Sequence, residues 1–110
     1  MLGMKVERFR SPAAPEIERF ALTFGDQKIN LHQQGAKVVP MATNPGCGTA
    51  DFCLITDQPV EEFKKHWEAN QQIIVEEDVV KRTGARGPIH SIYTYDPDGH
   101  LIEVSNYREE

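Results

Sequence analysis

Long apolar runs are missing from this chain, and none of its hydrophobic stretches approaches the roughly 20 residues that a membrane-spanning helix needs. Its opening, Met1-Leu2-Gly3-Met4-Lys5, also lacks the apolar core of a signal peptide. The expectation is a cytoplasmic protein with no membrane partner. Basic charge is scarce too: 12 lysines and arginines stand against 17 acids, a net charge of −5. No basic stripe is left to neutralise a phosphate backbone, which argues against nucleic acid as a partner. Cysteine is limited to Cys47 and Cys53, too few for a disulfide framework and without the paired CxxC spacing of a zinc site, so both read as reduced thiols. Cys53 shares an alternation face with Asp51 and Ile55, but a small buried hydrophobe is the default for a single cysteine.

What is present is enough for one core. A length of 110 residues suits a single compact domain over 1–110. Strand-like segments recur between turn residues, and only one stretch has a helical period. The first strand is expected over residues 5–10, ended by the segment from Pro12 to Pro15, which cannot hold a ladder. Residues 20–24 and 27–32 flank Gly25-Asp26, a pair suited to a tight hairpin turn. From Gln33 to Gly48, prolines, glycines and Asn44-Pro45-Gly46 predict a long connection.

Residues 50–56 then read as a buried strand, and Asp57-Gln58-Pro59 as a helix start. Val60, Phe63 and Trp67 recur at helical spacing as a core stripe, while Glu61 is placed to pair with Lys64 or Lys65 on the solvent side. Another extended segment covers residues 73–80. Arg82-Thr83-Gly84-Ala85-Arg86-Gly87-Pro88 follows as a polar, glycine-rich loop. Residues 89–95 then enter Asp96-Pro97-Asp98-Gly99, where proline presets φ and glycine closes the turn, and residues 101–107 return antiparallel. The order from Ala50 on is strand, helix, strand, strand, strand. The front offers three strands only, and Leu2-Gly3-Met4 reads as the end of a helix, as if the chain began within a module.

One carboxylate in the last strand stands out. Glu103 sits in the apolar run Leu101, Ile102, Val104, points away from Ile102 and Val104, and shares its face with Leu101, Ser105 and Tyr107. An acid on such a face is either a solvated strand charge or a ligand that needs an electrostatic partner such as a metal ion. Asp51 is hard to explain by packing, since an ionised carboxylate among apolar neighbours needs a cation or donor groups.

Several segments together resemble the vicinal oxygen chelate superfamily, which includes glyoxalase I, fosfomycin-resistance proteins and extradiol dioxygenases. They are Phe24-Gly25-Asp26-Gln27-Lys28-Ile29-Asn30-Leu31-His32-Gln33, Arg82-Thr83-Gly84-Ala85, Gly87-Pro88-Ile89, Ser91-Ile92-Tyr93 and Asp96-Pro97-Asp98-Gly99-His100-Leu101-Ile102-Glu103-Val104-Ser105-Asn106-Tyr107. They look most like the branch called glyoxalase domain-containing protein 5. The resemblance implies an α+β fold of paired βαβββ modules forming a curved mixed sheet, with the first module incomplete and the domain truncated at its N-terminus. It also implies a divalent metal held by Glu103, the final-strand ligand, and by Asp51 at the start of the second module. His32 is placed to take over the duty that glyoxalase I gives to the position matching Asn30.

The implied activity is that of a metal-dependent glyoxalase- or dioxygenase-like enzyme, a lyase or dioxygenase acting on a small substrate with vicinal oxygens. Arg82 and Arg86 suit an anionic substrate, since guanidinium matches carboxylates and phosphates. Tyr93, on the same hairpin, joins them as a substrate contact. His90, expected to share a face with Ile92 and Thr94, is the candidate acid or base, whereas His66 and His100 read as exposed. A homodimer is expected, because an open sheet edge invites pairing. The alternatives are a non-catalytic small-ligand binding or interaction module, or an inactive truncated form.

Overall fold

The structure is a computed structural model that describes residues 2–11, 14–35 and 38–108. The strands gather into two compact units, Met1–Lys37 and Val38–Glu110. The connection expected from Gln33 to Gly48 holds no strand or helix among its described residues, so ladders form within each unit. Among the described residues no helix is long and apolar enough to cross a membrane.

The first unit is an antiparallel sheet in the order β1-β2-β3, built from β1 (Lys5–Ser11), β2 (Ala14–Phe24) and β3 (Gln27–Leu31). Gly25, at φ 57, makes the expected tight turn between β2 and β3. β2 is longer than the sequence suggests. The break expected at Pro12 lies outside the described residues, and Pro15 is accommodated where the ladder jumps from Arg10↔Glu18 to Ser11↔Ala14, so its missing N–H interrupts no regular pairing. Pairing Val6↔Leu22, Leu22↔Ile29 and Phe20↔Leu31 puts an apolar stripe on one face. On the other, Phe9 lies under two cations, Arg19 at 5.1 Å and Lys28 at 4.9 Å from the ring centre.

The second unit has the expected order: β4 (Phe52–Ile55), α1 (Val60–Ala69), β5 (Val75–Gly84), β6 (Gly87–Tyr95) and β7 (Leu101–Tyr107). Its sheet runs β4-β7-β6-β5, with β4 parallel to β7 and the other pairs antiparallel. This is one complete βαβββ module in a mixed sheet, and the first unit supplies a βββ set, so the class is α+β as expected. Val60, Ile92 and Val104 form the buried core, with Phe63 and Trp67 packed against it. The helix stripe is therefore core.

Its charges pair differently from the helix-internal expectation. Glu61 binds Arg108 beyond β7, and Lys64 binds Asp78 of β5 at 3.0 Å, so both tie the helix to the sheet. The stretch from Arg82 to Pro88, expected as a loop, is a hairpin in which β5 runs to Gly84 and β6 resumes at Gly87, opposite each other. Polar residues are tolerated there because β5 is an edge strand of its sheet.

Candidate functional site

Glu103 is partly buried, and register decides its neighbours. β7 places it opposite Cys53 of β4 on one side and Tyr93 of β6 on the other, and two residues on, Ser105 stands opposite Ser91. Directly paired residues share a face, so Cys53, Glu103, Tyr93, Ser91 and Ser105 form one patch across three strands. The opposite face carries Ile92 and Val104, where α1 packs.

The patch is tightly hydrogen-bonded. Ser91 Oγ donates to Glu103 Oε2 at 2.6 Å, Ser105 Oγ lies 3.1 Å from the same oxygen, and the two hydroxyls are 2.7 Å apart. Cys53 Sγ is 3.2 Å from Ser105 Oγ. Both serines are fully buried, so their protons have few other acceptors and fix the carboxylate's orientation. Burial, and then the Glu103 charge, push the Cys53 thiol up to about 11. Tyr93 is buried, and the same two causes raise its phenol well above the ordinary tyrosine value, with Arg82 opposing them. At neutral pH the patch thus holds a protonated thiol and a protonated phenol beside a glutamate.

Arg82 lies on β5 rather than on a flexible loop, with its guanidinium carbon 5.6 Å from the centre of the Tyr93 ring. Its Nη2 donates to Glu76 at 2.9 Å and its Nη1 to the Lys81 carbonyl at 2.9 Å. Arg86, in the β5–β6 turn, stacks 4.2 Å over Tyr107 and lines an open groove of about 500 Å³ with Ile55, Glu61, Asn106 and Arg108.

The remaining candidates sit elsewhere. Asp51 is exposed and precedes β4, so the β4 side chain opposite Glu103 is Cys53, which is itself exposed as a residue but turned by its sulfur into the hydroxyl row. His32 follows the end of β3 in the first unit and is exposed. His90 pairs with Asn106, out of phase with Ser91 and Glu103, which puts it on the helix side of the sheet. Among the described residues, the ligating side chains that converge in a group of three are Asp96, Asp98 and His100, within 4.8 Å. Turn chemistry accounts for them: Asp96 Oδ1 accepts from the N–H groups of Asp98 and His100, and Oδ2 lies 2.9 Å from His100 Nδ1.

Sequence reasoning placed Ser105 on the face of Glu103 but gave neither serine a role, and it missed Glu76. The parity of Ser91 and Tyr93 was readable. Their register against Glu103 was not, because strand pairing is a long-range property.

Over 108 residues the chain is 45% identical to the Glyoxalase domain-containing protein RDO1 of Mycosarcoma maydis, which covers 98% of this chain and 57% of that protein. Its similarity to the crystal structure of Virulence protein STM3117 from Salmonella typhimurium covers 97% of this chain and 79% of that one, at 45% identity and a TM-score of 0.52. The chain belongs to the glyoxalase-like, vicinal oxygen chelate superfamily. An integron cassette protein from the mobile metagenome of V. cholerae is also similar, at 50% identity over 97% of this chain and 78% of that one, with a TM-score of 0.51. No family model matches the chain. It spans 57% and 61% of the length of the curated RDO1 and STM3117 proteins.

Proposed function

We propose that this superfamily member is a metal-dependent enzyme of glyoxalase-like or dioxygenase-like type, a lyase or dioxygenase acting on a small substrate with neighbouring oxygens. One observation carries the reading: Glu103 is held by two fully buried serine hydroxyls on a face that also presents a protonated phenol and a guanidinium. A carboxylate oriented by hydroxyl donors is how proteins aim a ligand at a hard divalent cation. Asp51, two residues before Cys53 on the strand approach beside Glu103, is the proposed additional ligand, an oxygen donor. Such an ion, when bound, supplies a Lewis acid that chelates adjacent oxygens and stabilises negative charge developing on them.

The chain's own residues do the rest. Ser91 and Ser105 fix Glu103, Tyr93 offers a hydroxyl whose proton stays in place at neutral pH, and Arg82 contributes a permanent positive charge. Within the superfamily, the segments from Phe24 to Gln33 and from Asp96 to Tyr107 support the branch of glyoxalase domain-containing protein 5. Elemental analysis tests the metal. Protein reconstituted with a panel of divalent ions is expected to retain one ion per chain, and Glu103→Gln to lose it, whereas no stoichiometric metal in the parent protein removes this reading.

A specific observation also favours a second reading, a metal-free small-ligand binding module. Hydroxyl donors already satisfy Glu103 Oε2, so the carboxylate has stabilising partners without an ion. Binding of an aromatic compound with equal affinity before and after chelation, with no turnover, would select it.

A further inference from the structure

The strand beside the site carries an irregularity that pairing alone does not require. Along β5 the ladder steps from Val75↔Tyr93 to Val80↔Ser91, so five positions on one strand face two on the other. Inside this bulge Glu76 and Glu77 both have φ 64, the left-handed region that L side chains adopt at a cost, and neither is glycine. Strain of this kind persists where the surroundings hold it, and it gathers at functional sites.

The bulge places an anchor at one end of a long side chain. Arg82 is rooted opposite Ile89, four residues along β6 from Tyr93, and must lie back along the sheet to reach that ring. Val75 is the residue paired with Tyr93, so Glu76 follows at the Tyr93 end. Its carboxylate takes Arg82 Nη2 at 2.9 Å, and the two side chains are only 28% and 33% exposed. A regular strand would carry Glu76 out of this position.

We propose that Glu76 is a positioning residue, held left-handed by the β5 bulge so that it fixes Arg82 across Tyr93, and that Arg82 so fixed makes the Glu103 site select a ligand with an anionic group, a carboxylate, beside its chelating oxygens. The ligand half rests on the metal-site reading given above. Left to itself, an arginine samples many rotamers, and a ligand must then order it at its own expense. Glu76 removes that cost in advance.

The test uses the full chain as Glu76→Gln and Glu77→Gly, the latter relieving the same backbone strain without touching Arg82. In metal-free protein the Arg82 Nε–H resonance reports the Tyr93 ring current. It is expected to keep its upfield position in Glu77→Gly and to lose it in Glu76→Gln, and an unmoved resonance in Glu76→Gln overturns the positioning role. Titration calorimetry of the Mn²⁺-loaded protein with oxalate follows. Oxalate is expected to bind Glu76→Gln about five-fold more weakly, the equivalent of ordering one long side chain, with Mn²⁺ affinity unchanged, while Glu77→Gly matches the parent. Oxalate binding equally or more tightly to Glu76→Gln overturns the selectivity. If the parent binds no Mn²⁺, the metal reading and the ligand half fall together, and the resonance still decides the role of Glu76.

Discussion

At the scale of the residue, the site is a set of protons held in place by burial and one negative charge. The Cys53 thiol, ordinarily near 9.0, is pushed up to about 11 by burial first and Glu103 second. At pH 8 only about one such thiol in a thousand is ionised, and the thiolate is the reactive form. Iodoacetamide should therefore label Cys53 slowly at pH 8, about ten-fold faster for each unit of pH below 11, and faster in Glu103→Gln, where one cause of the shift is gone. Peptide mass spectrometry over time reads this. An unchanged rate in Glu103→Gln would mean that the carboxylate does not act on the sulfur. The same shift sets a stability window. Between 9.0 and about 11 the unfolded thiol gives up its proton while the folded one keeps it, so stability falls as pH rises through that range. Cys53→Ser should flatten part of the fall in melting temperature, and Tyr93, raised in the same direction, accounts for a further part at higher pH.

At the scale of the element, the β5–β6 hairpin positions the most and was the least legible. Gly84 shows why its composition misled. A Cβ built there would lie 2.8 Å from Tyr107 Oη and 3.0 Å from Ile89 Cγ2, so the glycine is present for close approach rather than for a loop. Tyr107 has little room to yield, since Arg86 stacks on its ring and the Arg86 N–H donates to its hydroxyl at 3.3 Å. Gly84→Ala should cost about 1–3 kcal/mol, the usual range for overpacking, read as a lower denaturant midpoint at unchanged slope. Gly25→Ala meets no atom within 4 Å and pays only for its positive φ, about 1–2 kcal/mol. Elements with local signals were readable: Gly25-Asp26, the Asp96 turn, and the helix announced by Pro59 and the stripe Val60, Phe63, Trp67. What depended on distant partners was not. Arg82 and Gly84 look like loop residues until β6 pairs with them, the left-handed pair Glu76 and Glu77 has no glycine to betray it, and Cys53 meets Glu103 only because β4 lies in that register on β7.

At the scale of the whole molecule, β4 is an exposed apolar edge. It pairs only with β7 in its sheet, and Phe52, Leu54 and Ile55 are 48%, 53% and 50% exposed. All four of its residues, Phe52-Cys53-Leu54-Ile55, are uncharged, so neither lysine nor proline blunts the edge in the way isolated edge strands are usually protected. An uncharged edge with apolar side chains on both faces loses free energy by pairing, and a second copy of the same chain is the partner always at hand. The expected state is a homodimer. Light scattering at micromolar concentration should give twice the chain mass of 12.5 kDa, and Leu54→Lys, which puts a charge on the edge, should shift the population towards monomer at the same concentration. Glu103→Gln supplies the contrast, because it alters the patch chemistry and leaves the edge alone, so its mass should match the parent. A parent chain that scatters as a monomer would mean that β4 is covered in some other way, and the edge argument would fail while the Glu103 patch, which depends only on pairing within one sheet, would stand.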